Sequence, residues 1–82
     1  MKVTISISLK NGVLDPEGRA IEQSLGALGF SEASDVRIGK IITLDIDTDD
    51  ASRARQRAAR MCETMLANTV IEDYSIEVEG ES

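Results

Sequence analysis

A chain of 82 residues with net charge −6 and no histidine reads as one small domain, residues 1–82, whose charge disfavours nucleic acid or an anionic membrane as the main partner. It has one Phe, one Tyr and no Trp, so its core must come from Ile, Leu, Val, Ala and Met, and a chain this short buries only about 60–65% of its unfolded surface. A single cysteine excludes an internal disulfide and, without histidine, a structural zinc site, which leaves association as the expected source of further stability.

Val3, Ile5, Ile7 and Leu9 alternate with Thr4, Ser6, Ser8 and Lys10, a period of two that predicts a strand with one buried face. Asn11-Gly12 breaks it. In Leu14-Asp15-Pro16-Glu17-Gly18, Asp15 is an N-cap, Pro16 suits the first helical position, and Glu17 faces the positive helix end. The apolar positions Ala20, Ile21, Leu25 and Leu28 then recur at helical spacing. Gly29 and Phe30 form a Schellman ending, so the helix runs 16–28. Gly18 and Gly26 inside it each cost helix stability, which makes sense if another backbone or a ligand comes close.

Val36, Ile38, Ile42, Leu44 and Ile46 share one parity. That predicts one long strand bent at a bulge around Gly39, with a hairpin across Gly39-Lys40 as the alternative. Such a strand overhangs a small monomer and needs a second chain's edge. Thr48-Asp49-Asp50 cap a second helix whose apolar stripe holds Ala54, Ala58, Met61, Cys62 and Met65, with Cys62 as a packed residue and not a nucleophile. Arg53, Arg57 and Arg60 share another face, either solvated or able to clamp an acidic group. Asn68 is placed to end this helix in the left-handed conformation. Tyr74, Ile76 and Val78 alternate with Ser75, Glu77 and Glu79 in a last strand, and Gly80-Glu81-Ser82 reads as a frayed end. The expected fold is α+β, a β-α-β-α-β layer sandwich with the helices on one sheet face.

Charge is segregated along the chain. Residues 1–43 balance, 44–50 carry four Asp, 51–60 four Arg, and 61–82 six acids and no base. Asp45, Asp47, Asp49 and Asp50 lack the glycine and terminal Glu of a calcium loop. No nucleophile sits beside a base, and no glycine-rich phosphate loop is present. No run is apolar enough to span a membrane and no signal-peptide core follows Met1, so the expected compartment is the cytoplasm. Residue chemistry alone goes no further than a scaffold or binding module.

Four blocks carry a resemblance: Lys10-Asn11-Gly12-Val13-Leu14-Asp15-Pro16-Glu17-Gly18, Leu28-Gly29-Phe30, Asp35-Val36-Arg37-Ile38-Gly39-Lys40, and Leu66-Ala67-Asn68-Thr69-Val70-Ile71-Glu72-Asp73-Tyr74. In this order and spacing the chain resembles the PurS subunit of phosphoribosylformylglycinamidine (FGAM) synthase, while Thr48 to Arg60 carries no family signature. The resemblance implies a dimeric, ferredoxin-related adaptor that exchanges strands. It would join a synthetase chain (PurL) to a glutaminase chain (PurQ), so that glutamine-derived ammonia is used in the ATP-dependent purine-biosynthesis step from formylglycinamide ribonucleotide to its amidine. The complex is a ligase, and this subunit has no catalytic residues, binds no cofactor and no metal, and leaves ATP and Mg to the synthetase. Its candidate interface residues are Arg37, Gly39, Lys40, Asn68, Thr69, Glu72, Asp73 and Tyr74. The alternative is an ACT-like regulatory domain with a small-molecule site near Asn11-Gly12.

Overall fold

The computed structural model describes residues 1–80, so the fraying expected at Glu81 and Ser82 lies outside the described residues. The alternating N-terminal run forms strand β1 (Lys2–Leu9), the centre of an antiparallel sheet in the order β2-β1-β3. Its neighbours are β2 (Gly39–Asp45) and β3 (Glu72–Val78). Ile5 stands opposite Ile42 on one side and Ile76 on the other. Such cross-strand rows of β-branched side chains stabilise a sheet.

One face of this sheet is closed by helix α2 (Ala51–Met61) and the π-helical turn that continues it, Cys62–Leu66. Ala54 and Ala58 are buried against Val3, Ile5, Ile7 and Val78; small side chains on the helix let it come close to a strand face built of larger ones. Asp50 caps α2 by accepting from the N–H groups of Ser52 and Arg53 at 3.0 and 3.4 Å. Cys62 is fully buried, as its place in the stripe predicts, and burial, with the Glu63 charge adding, pushes its thiol pKa up. Met65 is not where the helical period puts it. The Ala67 N–H bonds to the Cys62 carbonyl five residues back, at 3.1 Å, and this wider turn rotates Met65 out to 77% exposure while Ala67 takes the buried position.

Helix α1 (Pro16–Ala27) begins at the Asp15 cap and ends as predicted. The Phe30 N–H reaches the Leu25 carbonyl at 2.8 Å and the Gly29 N–H the Gly26 carbonyl at 3.2 Å, a Schellman pair. The helix does not share α2's place. Only Gly18 of its residues is buried, and α1 packs against no strand or helix as α2 packs against β1 and β3. The expectation that both helices cover one sheet face therefore holds for α2 alone. The radius of gyration, 16.1 Å, exceeds the roughly 12 Å of a compact chain this long, and the extents are 49 × 26 × 17 Å.

The long bent strand is also absent. β2 starts at Gly39, and its seven residues pair with Ser8 to Lys2 without overhang. Val36 and Ile38 keep the strand's parity but give their N–H groups to carboxylates: Val36 to Glu22 Oε1 at 3.2 Å, and Ile38 to Asp15 Oδ2 at 2.8 Å. Side chains of α1 and its cap thus take the bonds a sheet neighbour would have taken. Gly26, expected to meet a close neighbour, faces open space, whereas a Cβ on Gly18 would collide with the Val36 carbonyl oxygen.

Candidate interface at the end of the sheet

The predicted residues come together where β1 ends. Ser8 stands between Gly39 on β2 and Asp73 on β3, Ile7 between Lys40 and Tyr74, and Leu9 beside Glu72. A shallow cleft of about 170 Å³ opens here between Ile38, Gly39, Lys40 and Glu72. Gly39 is required by close approach, since a Cβ there would sit 2.7 Å from the Ile7 carbonyl oxygen. Arg37 joins the group from the preceding segment, where its guanidinium donates to the Lys10 carbonyl at 3.1 Å.

The other members sit in the turn that feeds β3. Asn68 does not take the left-handed conformation; among the described non-glycine residues only Asp35 does, at φ 54°. Instead Asn68 builds the turn. Its carbonyl accepts from Ile71 and Glu72, its side-chain oxygen accepts from the Val70 N–H at 3.2 Å, and its own N–H donates to Glu72 Oε1 at 2.7 Å. Glu72 and Asn68 therefore brace each other. The Lys10 N–H donates to the Ile71 carbonyl at 2.8 Å, which ties this turn to the end of β1.

Thr69 and Asp73 are exposed, and Tyr74 is half-buried beside the core. Burial, then the nearby Glu63 carboxylate, holds the Tyr74 phenol above its ordinary pKa. The surface so formed presents Lys40 and Glu72 across the cleft, with Asp73 on the other sheet face and Arg37 exposed in the preceding segment, a mixed rim suited to orienting a partner.

Sequence reasoning missed the second role of Asp15. Its Oδ1 caps α1 through the Gly18 N–H at 2.9 Å while its Oδ2 holds Ile38. No spacing rule links residues 15 and 38. The signal that pointed there was Gly18, whose missing side chain admits the 36–38 backbone. Leu14, Leu28, Phe30 and Val70 are exposed, and Leu14 is 86% open to solvent. Arg57 and Arg60 flank a groove beside β2, while Arg53 points to solvent.

Among the described residues no cluster of His, Cys, Asp or Glu could hold a metal ion, and no helix is long and apolar enough to cross a membrane. What remains is a small α+β domain that offers partners a charged sheet end, open strand edges and an apolar arm: a subunit of an assembly. The family model described as phosphoribosylformylglycinamidine (FGAM) synthase, PurS, matches residues 2–80. The chain belongs to the PurS family. It is 47% identical over 78 residues to the PurS subunit of Bacillus subtilis, covering 95% of this chain and 92% of that one. The Methanocaldococcus jannaschii subunit is 41% identical, with 95% and 94% covered. The crystal structure of M. jannaschii PurS superposes with a TM-score of 0.87, covering 99% of this chain and 98% of that one at 40% identity. A chain in the structure of PurLQS from Thermotoga maritima gives 0.84 at 29% identity, with 93% of both covered. Membership sets aside the ACT-like alternative.

Proposed function

We propose that this chain is the non-catalytic adaptor of an FGAM synthase, holding a PurL-type synthetase and a PurQ-type glutaminase together so that glutamine-derived ammonia reaches the ATP-dependent amidination of formylglycinamide ribonucleotide. The observation that carries this reading is the T. maritima PurLQS assembly, one of whose chains shares the fold of this one. The adaptor works in the cytoplasm as a homodimer and leaves ATP and Mg to the synthetase. An open sheet edge and exposed apolar side chains support association; the acidic charge speaks against nucleic acid and membrane.

The test is amidine synthesis by the purified synthetase and glutaminase chains. With glutamine as nitrogen source, activity is expected to require this protein; with free ammonium it is not. Equal glutamine-dependent rates without it would sink the adaptor reading.

Within it, the rim of Arg37, Gly39, Lys40, Asn68, Thr69, Glu72, Asp73 and Tyr74 is the contact for an enzyme chain. Arg37→Ala is expected to move stability by less than about 0.5 kcal/mol, since the side chain is exposed. Binding to the enzyme chains should weaken about tenfold, as at a contributing interface arginine. Titration calorimetry beside a thermal melt separates the two, and a lowered melting temperature with unchanged binding would make Arg37 structural.

A further inference from the structure

We propose that Arg53, Arg57 and Arg60, on one flank of α2, form the contact for an acidic surface of an enzyme chain. This rests on the adaptor reading and adds a second contact to the rim, with which it shares no residue. Helix α2 carries four arginines and no acid. Residues 53, 57 and 60 stand four and three apart, which places their side chains on one side of the helix along about 10 Å. All three are exposed. Arg57 and Arg60 border the groove of about 500 Å³ beside β2, and Arg53 extends the row towards the start of the helix.

Among the described residues none of the three guanidiniums has an ion pair or a hydrogen bond, whereas Arg55 is half-buried and engaged. Three nearby acids are turned elsewhere. Asp50 caps α2 through the Ser52 and Arg53 N–H groups, Asp45 stands opposite Lys2 on the sheet face away from α2, and Glu63 meets the Tyr74 phenol on β3. Like charges four apart destabilise a helix. The positive N-terminal end of α2 also disfavours Arg53 in the first turn; only Arg60, in the last, is favoured. The fold thus carries an uncompensated strain of charge at this flank, and an anionic partner removes it.

Charge also selects that partner. With −6 overall, the chain repels an acidic surface over most of its own and admits it at this flank, which fixes the orientation of docking. The groove floor of Leu44, Met61 and Met65 keeps water from a carboxylate set between Arg57 and Arg60, and a pair sheltered in this way is stronger than one in open water. A second copy fits less well, since a two-fold contact centred on the flank sets arginine against arginine. Nucleic acid is opposed by the net charge, and α2 offers no aromatic side chain on which a base could stack.

The test titrates the full chain against the purified PurL-type and PurQ-type chains. A triple variant, Arg53→Gln with Arg57→Gln and Arg60→Gln, should melt at or above the wild-type temperature and keep the wild-type mass in sedimentation, while its dissociation constant for one enzyme chain rises about 10- to 100-fold. The dependence of that constant on salt should flatten, because fewer charge pairs are left to screen. Lysine at the same three positions keeps the charge and should keep the salt dependence. A wild type that binds neither enzyme chain would overturn the adaptor reading and this inference with it. Where the wild type binds, a glutamine variant that binds as tightly, melts lower or changes its mass, or a lysine variant that loses the salt dependence, would overturn the arginine contact alone.

Discussion

Ile5→Ala is expected to lower the unfolding free energy by about 2–5 kcal/mol, the range for a buried isoleucine whose cavity cannot fully collapse. Ile5 is fully buried at the middle of the central strand, with Ile42 and Ile76 beside it and Ala54 and Ala58 in the same core cluster. The neighbours are alanines or side chains already fixed in a ladder, so little can move into the space. Small domains have total stabilities of about 5–15 kcal/mol, so this one change removes a large share and should leave much of the isolated chain unfolded at 37 °C. Denaturant titration followed by circular dichroism measures it. Ile21→Ala, on the exposed side of α1, is the control and should shift the midpoint little. If the two variants lose equal stability, the core does not lie where the sheet meets α2.

The second large effect concerns Asp15, whose carboxylate joins two parts of the chain that are not neighbours in sequence. Asp15→Ala removes the acceptor for both Gly18 and Ile38. Asp15→Asn keeps one side-chain oxygen, which serves either N–H group but not both. Amide exchange at Ile38 should therefore quicken by about tenfold or more in the alanine variant and by less in the asparagine variant. The amides of Val3 and Ile5 should stay protected, because α1 contributes little to the core. Unchanged exchange at Ile38 in Asp15→Ala would show that Glu22 and the Gly18 contact suffice.

The pH dependence follows from the direction of the shift. The Ile38 N–H, then that of Gly18, lower the Asp15 pKa from its ordinary 3.8; burial opposes them and the Arg37 charge assists. A group whose folded pKa is depressed contributes stability above its unfolded value and loses it as pH falls through the folded one. The clamp should hold unchanged from about pH 5 to 8 and open only in acid below 3.8. Exchange at Ile38 measured across that range checks the sign.

Local rules made much of this fold legible. Alternation located β1, β3 and the inner part of β2, and the Asp15-Pro16 start and Gly29-Phe30 end bounded α1 because each signal acts within a few residues. Three features escaped because their causes are distant or cooperative. Residues 36–38 have a strand's pattern, yet side chains of the Asp15 cap and Glu22 occupy their donors. Met65 has a helix's spacing, yet one wide turn after Met61 shifts the phase. Met65 and the α1 apolar residues look like core in sequence, because periodicity shows that a face is apolar and not what covers it. The candidate interface was legible as sequence blocks, but its assembly at one end of the sheet depends on strand order. Asn68 and Glu72 also prove to brace a turn, which composition could not distinguish from partner contact.

Helix α1, held to residues 36–38 through Asp15, Gly18 and Glu22 and packed against no strand or helix, is also a lever. Twelve residues of helix span about 18 Å, so a rotation of about 10° at the Asp15–Ile38 joint displaces the Phe30 end by about 3 Å, roughly the length of a hydrogen bond. The position of the Phe30 end is thus set by two carboxylates, those of Asp15 and Glu22, and by the absent side chain of Gly18. Stiffness at that joint, and not packing along the helix, decides where the exposed Leu28 and Phe30 side chains stand relative to the sheet.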